Sequence, residues 1–109
     1  MNPIKYQYWK GLQNNRIIIN DPIDADTIET AIVPLLDMDA DPNVKHIDIF
    51  INTVGGSQYV GMPLCDIIDG LKTETTVTAI AYALSMGSLI LMGGFNNPNV
   101  KDQCGCGEE

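Results

Sequence analysis

Two loops in the sequence contain residue types that together stabilise a developing oxyanion. Ser85 stands between a β-branched run and an apolar helical run, so its hydroxyl is expected at a helix N-terminus. Unpaired backbone amides at such a terminus stabilise anions. The second loop contains Gly55-Gly56, and twin glycines let a peptide approach closely. Amide donors from Gly56 and Met86, beside the Ser85 hydroxyl, would form an oxyanion hole around an attacked carbonyl.

Each loop taken alone also fits a purely structural role. Ser85 would serve as an ordinary N-cap of a buried helix, and the G-x-S-x-G pattern of a nucleophile elbow is absent. A Gly-Gly pair is common in tight turns. The two loops follow adjacent predicted strands, however, and ligands bind at the carboxyl ends of parallel strands. This pairing favours a functional site.

Three strand–helix units would position these loops. Alternating or β-branched runs predict strands at 16–20, at 46–52 and from Thr75 through Ala81. Apolar periodicity predicts helices from Asp24, over 58–71 and over 89–92, the last ending at Gly93-Gly94. This order predicts an α/β protein with a mostly parallel sheet and right-handed crossovers.

The helix that opens near Asp24 carries several testable signals. Asp26 and Glu29 have the spacing of a capping box. Pro34 predicts a kink or a loss of helix stability, and the acidic segment 37–43 predicts a loop. One apolar stripe is expected to face the core; its members are Ile28, Ala31, Ile32, Leu35 and Leu36.

The two ends of the chain are less regular. Residues 1–15, with Tyr6, Tyr8, Trp9 and Leu12 near helical spacing, fit either an amphipathic helix or a loosely ordered terminus. After a polar loop over 95–101, residues 102–109 have no periodicity. We therefore predict one domain over 1–101 and an irregular acidic, cysteine-containing tail over 102–109. Cys104 and Cys106 are too few for a closed metal site, so no metal is expected.

Composition excludes several classes of function. Fourteen acidic residues against six basic ones give a net charge of −8, which disfavours nucleic acid and anionic membrane surfaces. No apolar run is long enough to span a membrane. The first residues do not form a signal-peptide pattern, and three cysteines are an odd count. We expect a cytoplasmic protein without disulfides and without a cofactor.

Four stretches carry a resemblance to a known family. They are 16–19 with 22–27, 49–56 (I-F-I-N-T-V-G-G), 66–68, and 83–88 (A-L-S-M-G-S). With them the chain resembles the proteolytic subunit of the Clp proteases, a serine peptidase of the ClpP/crotonase-like superfamily. The match runs from about Tyr6 to Lys101, and the 29-residue separation of Gly56 from Ser85 is the one that the family uses. The sequence departs at Thr53-Val54, where Ser-Pro is usual, and at Leu84.

The resemblance implies a fold, a set of site residues and partners. The fold would be the N-terminal half of a repeated β-β-α superhelix. Ser85 would be the nucleophile, Gly56 and Met86 the oxyanion-hole amides, and Gly55 to Ser57 the strip that binds an extended peptide substrate. The activity implied is ATP-dependent degradation of unfolded polypeptides. An AAA+ unfoldase would feed two stacked seven-membered rings of the subunit.

The family's catalytic His and Asp have no counterpart after Ser85. The only histidine, His46, opens the strand whose far end leads to Gly56, so it is predicted at the wrong edge of the sheet. Asp48 and Asp66 are predicted to be solvated. The alternative function is therefore a truncated, catalytically inactive interaction protein with the same half-fold. A third possibility is a crotonase-like acyl-CoA site, against which the Ser85-Met86-Gly87 run and the few basic residues argue.

Overall fold

The computed structural model describes residues 2–20, 22–53, 55–83, 86–91 and 97–104. In this part of the chain four parallel strands form one sheet in the order β1-β2-β3-β4. They are β1 Arg16–Asn20, β2 His46–Thr53, β3 Glu74–Ala83 and β4 Val100–Cys104. The helices are α1 Pro3–Gln13, a π-helical turn Ile28–Ile32 that continues into α2 Val33–Ala40, α3 Gln58–Asp69 and α4 Met86–Leu91. The predicted α/β class with a parallel sheet is confirmed.

Alternation along β2 creates the core. Ile47, Ile49 and Ile51 are at most 1% exposed, whereas the residues between them are only half-buried. Fully burying an aliphatic side chain of this size contributes about 1.5–3 kcal/mol, so this face of the sheet carries much of the stability. The same cluster contains residues from β1, α2, α3 and β3: Ile17, Ile19, Leu35, Leu64, Ile68 and Val77.

The N-terminal segment is helical rather than loosely ordered. Asn2 caps α1 by accepting a hydrogen bond from the Lys5 backbone N–H at 2.8 Å, and Pro3 occupies the first turn, where its missing N–H costs nothing. Leu12 packs against the core cluster. Tyr6 and Trp9, however, are 56% and 52% exposed, so most of the aromatic surface of α1 faces outward.

A π-helical turn resolves the conflict that Pro34 creates. Pro34 lies in the first turn of α2, immediately after the turn Ile28–Ile32, and so its missing N–H interrupts no regular ladder. The wider turn also changes the phase of the helix. Ala31 and Leu35 are fully buried as expected, but Ile28 and Leu36 are 42% and 49% exposed. The prediction that all five residues of the stripe face the core was wrong for Ile28 and Leu36.

The predicted capping box does not form. Thr27, at the cap position, makes no side-chain cap bond. Instead, the Asp24 Oδ1 accepts from the Asp26 N–H at 3.0 Å, and the Thr27 Oγ1 accepts from the Asp24 N–H at 3.1 Å. This turn starts two residues before the predicted cap, and Asp24 accepts the hydrogen bond of the Asp26 N–H that the Glu29 side chain would accept in a capping box.

The acidic segment 37–43 was predicted as a loop, but α2 continues to Ala40. Carboxylates in the last turn oppose the helix dipole, and Asp39 has a compensating role. Its Oδ1 accepts from the backbone N–H groups of Lys72 and Thr73 at 3.1 and 2.8 Å. Burial raises the pKa of Asp39, but these hydrogen bonds and the nearby Lys72 charge outweigh it and leave the pKa below 3.8. Asp39 thus ties α2 to the entrance of β3.

Part of the tail over 102–109, which was predicted to be irregular, forms a strand. Residues 100–104 form β4, which pairs with β3 from Thr75↔Val100 to Ala79↔Cys104. Buried Asn97 holds the approach to this strand by donating through Nδ2 to the carbonyls of Ile68 and Leu71 at 3.1 and 2.9 Å. The sequence of β4 is polar and does not alternate, so its pairing with the β3 backbone orders it. Residues 105–109, including Cys106, lie outside the described residues.

Candidate functional site

The carboxyl ends of β2 and β3 lie side by side. Ile51 pairs with Ala79, the register then shifts, and Thr53 pairs with Ala83. Such an irregularity re-aims the residues that follow it and is common next to active sites. The Gly55-Gly56 turn follows Thr53 closely, and α4 begins three residues after Ala83. Ser85 itself lies outside the described residues.

Backbone hydrogen bonds join the Gly55-Gly56 turn to the segment after β1. The Ile23 N–H donates to the Gly55 carbonyl at 2.9 Å, and the Ser57 N–H donates to the Ile23 carbonyl at 2.7 Å. Ile23 therefore forms a parallel bridge with Gly56. In a parallel bridge the middle residue directs its own N–H and C=O away from the partner strand. Among the described residues, no group accepts a hydrogen bond from the exposed Gly56 N–H.

Only glycine fits at position 56. Its φ is +152°, and that of Gly55 is +113°, a region that side chains disfavour. A Cβ on Gly56 would lie 2.2 Å from the Ile23 carbonyl oxygen and 2.7 Å from its nitrogen. The backbone of this turn is consequently held against Ile23, and the Gly56 N–H points away from Ile23, which leaves it available as an oxyanion-hole donor.

Thr53 links the glycine turn to α4. Its Oγ1 accepts from the Gly55 N–H at 3.1 Å. On the other side, a Cβ built on Gly87 would lie 2.7 Å from the Thr53 Cγ2 and 3.1 Å from its carbonyl oxygen. The first turn of α4 thus rests directly on Thr53. The sequence analysis noted Thr53 only as a departure from the family; the signal it missed was a polar residue at a core-facing position of β2.

Met86 is the first residue of α4. The N–H groups of a helix's first turn have no partner within the helix, because the carbonyls that would accept them precede it. The contact between Gly87 and Thr53 brings this turn to the end of β2. Thr53 therefore contacts Gly55, the neighbour of Gly56, and Gly87, the neighbour of Met86. The oxyanion hole formed by Gly56 and Met86 stays a prediction.

The backbone groups of Gly55 and Ser57, in the predicted substrate strip, have hydrogen-bond partners within the chain. The Gly55 N–H and C=O are bonded to Thr53 and Ile23, respectively. The Ser57 N–H donates to Ile23, and the Ser57 carbonyl accepts from the Gly61 N–H at 2.9 Å at the start of α3. Since these groups already have partners, Gly56 offers the strip's exposed backbone amide. Direct substrate contacts by Gly55 and Ser57 stay a prediction.

His46 lies at the opposite end of β2, as predicted. An eight-residue strand is roughly 23 Å long, so this imidazole is remote from the glycine turn. Its Nδ1 lies 3.1 Å from Glu74 Oε1, and its Nε2 lies 3.2 Å from Asp48 Oδ1 and 3.3 Å from Thr76 Oγ1. His46 is therefore occupied by its own polar cluster.

Other chemically relevant groups were compared within the part of the chain that the structure describes. Burial, with a smaller effect of the Asp66 charge, raises the pKa of the Cys65 thiol, so this cysteine is a poor nucleophile. Within the described ranges, no group of three or more His, Cys, Asp or Glu side chains could hold a metal ion. No helix in the same ranges has the length and apolar character needed to cross a bilayer. A cavity of about 570 Å³ beside α1 and β1 is lined by none of the predicted site residues.

Comparison with known proteins gives a consistent result. The sequence model of the family described as Clp protease matches residues 2–100. The ATP-dependent Clp protease proteolytic subunit of Streptococcus thermophilus is 32% identical over 90 residues, which cover 82% of this chain and 46% of the relative. The proteins of the same name from Streptococcus sanguinis and Streptococcus uberis are 31% identical over the same shares.

The chain spans about half the length of the curated relatives that it matches. The family match nevertheless covers nearly all of the sequence and includes the Thr53 support, the glycine turn and the start of α4. The 109-residue chain belongs to the Clp protease family.

Proposed function

We propose that this chain supplies the nucleophile and oxyanion-hole half of a Clp-type serine endopeptidase that cleaves unfolded polypeptides into short peptides. One observation carries the proposal: the Gly56 N–H is exposed and unpaired among the described residues, because Ile23 is bonded to Gly55 and Ser57 on either side of it. A backbone amide fixed in this way is already oriented when a substrate arrives, and so needs no reorganisation during the reaction.

In the proposed reaction the Ser85 hydroxyl attacks the carbonyl carbon of a peptide bond. The C–N bond then breaks after a tetrahedral intermediate, whose oxyanion accepts hydrogen bonds from the Gly56 and Met86 amides. Removing one oxyanion-hole donor costs about 2.7–4 kcal/mol of transition-state stabilisation in well-studied serine peptidases. The Ser85 proton passes to a general base and then to the leaving amine, and water then hydrolyses the Ser85 ester, which releases the second peptide and restores the hydroxyl.

The base must come from outside these 109 residues. His46 is the single histidine in the sequence, and it is bonded to Glu74 and Asp48 at the far end of β2. The relatives are about twice as long as this chain, which leaves room for a His and an Asp in the remainder of a whole subunit. A serine without such partners is a weak nucleophile.

The same proposal includes the partners that the resemblance implies. The substrates would be unfolded proteins or peptides lying extended along the Gly56 strip, where main-chain hydrogen bonds make binding tolerant of sequence. The relatives carry the name ATP-dependent; in our proposal a separate AAA+ unfoldase uses the ATP. The subunits would assemble into stacked seven-membered rings in the cytoplasm.

A second candidate function is a catalytically inactive interaction protein with this half-fold. The position of His46 favours it, because no imidazole within these 109 residues can reach the end of β3 that leads to Ser85. Such a protein would bind its relatives through the same surfaces but cleave nothing.

A serine-directed fluorophosphonate probe distinguishes the peptidase from the inactive interaction protein. We would label the natural gene product that contains this sequence, and the 109-residue chain in parallel, and follow cleavage of a fluorogenic peptide. The peptidase proposal expects labelling and cleavage by the gene product, both lost in Ser85→Ala and both retained in His46→Gln. Absence of Ser85-dependent labelling in a folded gene product would reject it and favour the second candidate.

A further inference from the structure

The last paired residues of β1 and β2 are joined by their side chains as well as by their backbones. Asn20 pairs with Asn52 in the register of the sheet, and the Asn52 Nδ2 donates to the Asn20 Oδ1 at 2.9 Å. Ile19 and Ile51, one residue earlier, are buried. Because successive side chains point to opposite faces of a sheet, the two asparagines lie on its outer face. We call Asn20 and Asn52 the asparagine pair.

The same two segments meet again at the candidate site. Ile23, which follows β1, forms a parallel bridge with Gly56. Between the asparagine pair and this bridge, the first segment advances by three residues (23 − 20) and the second by four (56 − 52). An extra residue on one of two paired strands bends that strand and re-aims the groups that follow, as in a β-bulge. The direction of the Gly56 amide therefore depends on how this mismatch is held at both of its ends.

Backbone hydrogen bonds hold one end of the mismatch. Ile23 is bonded to Gly55 and Ser57 at 2.9 and 2.7 Å, and the Thr53 Oγ1 accepts from the Gly55 N–H between the two ends. At the other end, the register between β2 and β3 shifts between Ile51 and Thr53, so β3 continues no regular ladder through this point. The asparagine pair joins β1 to β2 at the position where the pairing with β3 is irregular.

We propose that Asn20 is a positioning residue for the oxyanion hole. By accepting the hydrogen bond of Asn52, it keeps the end of β1 in register with the end of β2. It thereby fixes the place at which the Ile23 bridge holds the Gly56 N–H. Displacing a catalytic group by about 1 Å lowers a rate by up to 10²-fold. The inference rests on the proposed function, since the position of this amide matters to the reaction only if the amide binds the oxyanion.

A comparison within the sheet distinguishes positioning from simple stabilisation. His46 and Glu74 are also register partners on neighbouring strands, and the His46 Nδ1 lies 3.1 Å from the Glu74 Oε1. This contact lies at the amino end of β2, remote from Gly56. Hydrogen bonds between exposed side chains contribute modestly to stability, because both partners also bond to water in the unfolded chain. Glu74→Leu is therefore a matched control for Asn20→Leu.

The experiment uses the natural gene product that contains this sequence. Asn20→Leu removes the acceptor at similar side-chain size, whereas Asn20→Asp keeps an oxygen that accepts from Asn52. Salt at 0.15 M, with a Debye length of about 8 Å, limits the effect of the added charge. We would measure kcat and KM with a fluorogenic peptide, and hydrogen–deuterium exchange of residues 53–57 by mass spectrometry. Urea denaturation of each variant reports its stability.

We expect Asn20→Leu to lower kcat by about tenfold or more with KM nearly unchanged, because an oxyanion-hole donor acts in the transition state. Exchange over residues 53–57 should become faster in the same variant. Asn20→Asp should restore kcat to within about threefold of the unmodified protein, since the acceptor is retained. Glu74→Leu should leave kcat and this exchange unchanged. An unchanged kcat in Asn20→Leu, an equal loss in Glu74→Leu, or no recovery in Asn20→Asp would each overturn the inference.

Hydrogen exchange separates failure of the inference from failure of the proposed function. A gene product without Ser85-dependent cleavage would reject the proposed peptidase, and exchange over residues 53–57 would then be the test of the asparagine pair. Faster exchange in Asn20→Leu than in Glu74→Leu, at similar stability, would support the positioning of Gly56 by Asn20. Equal exchange in the two variants would overturn it.

Discussion

The two ends of β2 use their polar groups in opposite ways. At the amino end, both ring nitrogens of His46 have partners in Glu74 and Asp48, and the side chains form a closed cluster. At the carboxyl end the polar groups belong mainly to the backbone. The Gly55 N–H donates to Thr53 Oγ1, and the Gly56 N–H has no partner among the described residues. The cluster of titratable side chains thus lies at the amino end of β2, opposite the candidate site.

This difference teaches where to look for function in a chain of this kind. A cluster of His, Asp and Glu is a common sign of an active site. Here, however, both ring nitrogens of His46 already have hydrogen-bond partners. The backbone at Gly56 is the more informative feature, because its φ of +152° is one that a residue with a side chain rarely adopts. Three substitutions would test how strongly these backbone and side-chain contacts stabilise the fold.

The largest effect is expected for Gly56→Ala. The new Cβ would lie 2.2 Å from the Ile23 carbonyl oxygen at a φ of +152°, and both the overlap and the strain oppose folding. We expect the free energy of unfolding, measured by urea denaturation, to fall by about 3 kcal/mol or more. Ser85 labelling of the gene product should fall with it.

Gly70→Ala is the matched control for that measurement. A Cβ on Gly70 meets the Asp66 carbonyl oxygen at 3.6 Å, an ordinary contact, and Gly70 has φ −100°. Its stability should change by less than about 1 kcal/mol. Equal losses in the two variants would show that the turn at Gly56 is no more constrained than the end of α3.

An intermediate effect is expected for Gly87→Ala. The added Cβ would press on the Thr53 Cγ2 at 2.7 Å, the far end of a side chain, and overpacking of this kind costs about 1–3 kcal/mol. Thr53→Ser removes that methyl while keeping the hydroxyl that holds Gly55. The double variant should therefore recover part of the loss in a double-mutant cycle. Strict additivity would mean that α4 does not rest on Thr53.

A strand or helix could be predicted from the sequence where a side-chain pattern determines it. It could not be predicted where backbone hydrogen bonds determine it. The Ile47, Ile49 and Ile51 alternation predicted β2 and its buried face, and both are confirmed. The strand Val100–Cys104 was missed, because its backbone pairs with β3 while its side chains show no pattern. The exposure of Ile28 and Leu36 was missed because a π-helical turn changes the helical phase.

The candidate site divides in the same way. The twin glycines predicted a turn, and Ser85 predicted a nearby helix N-terminus. The helix itself was predicted over 89–92, whereas α4 spans Met86–Leu91. The bridge from Ile23 to Gly55 and Ser57 was not predictable, because it joins segments more than thirty residues apart. Neither was the double contact of Thr53 with Gly55 and Gly87. Pairing partners of this kind depend on sheet register, which the sequence specifies only through the completed fold.

The smallest effect is expected at the amino end of β3, for Asp39→Asn. Asp39 accepts hydrogen bonds from the Lys72 and Thr73 amides, and Asn keeps one acceptor without the charge, so we expect a loss of about 1 kcal/mol at neutral pH. Asp69→Asn, exposed at the end of α3, is the control and should change stability by less than about 0.5 kcal/mol.

The pH dependence of that loss identifies the charge as its cause. The folded chain holds the pKa of Asp39 below the ordinary value of 3.8, so the ionised carboxylate stabilises the fold. Its contribution is fully present above the unfolded pKa and disappears as the pH falls through the lower folded pKa. The stability difference between the unmodified chain and Asp39→Asn, followed by urea denaturation, should therefore be constant near neutral pH and shrink below about pH 4. A difference that persists unchanged in acid would assign it to shape rather than to charge.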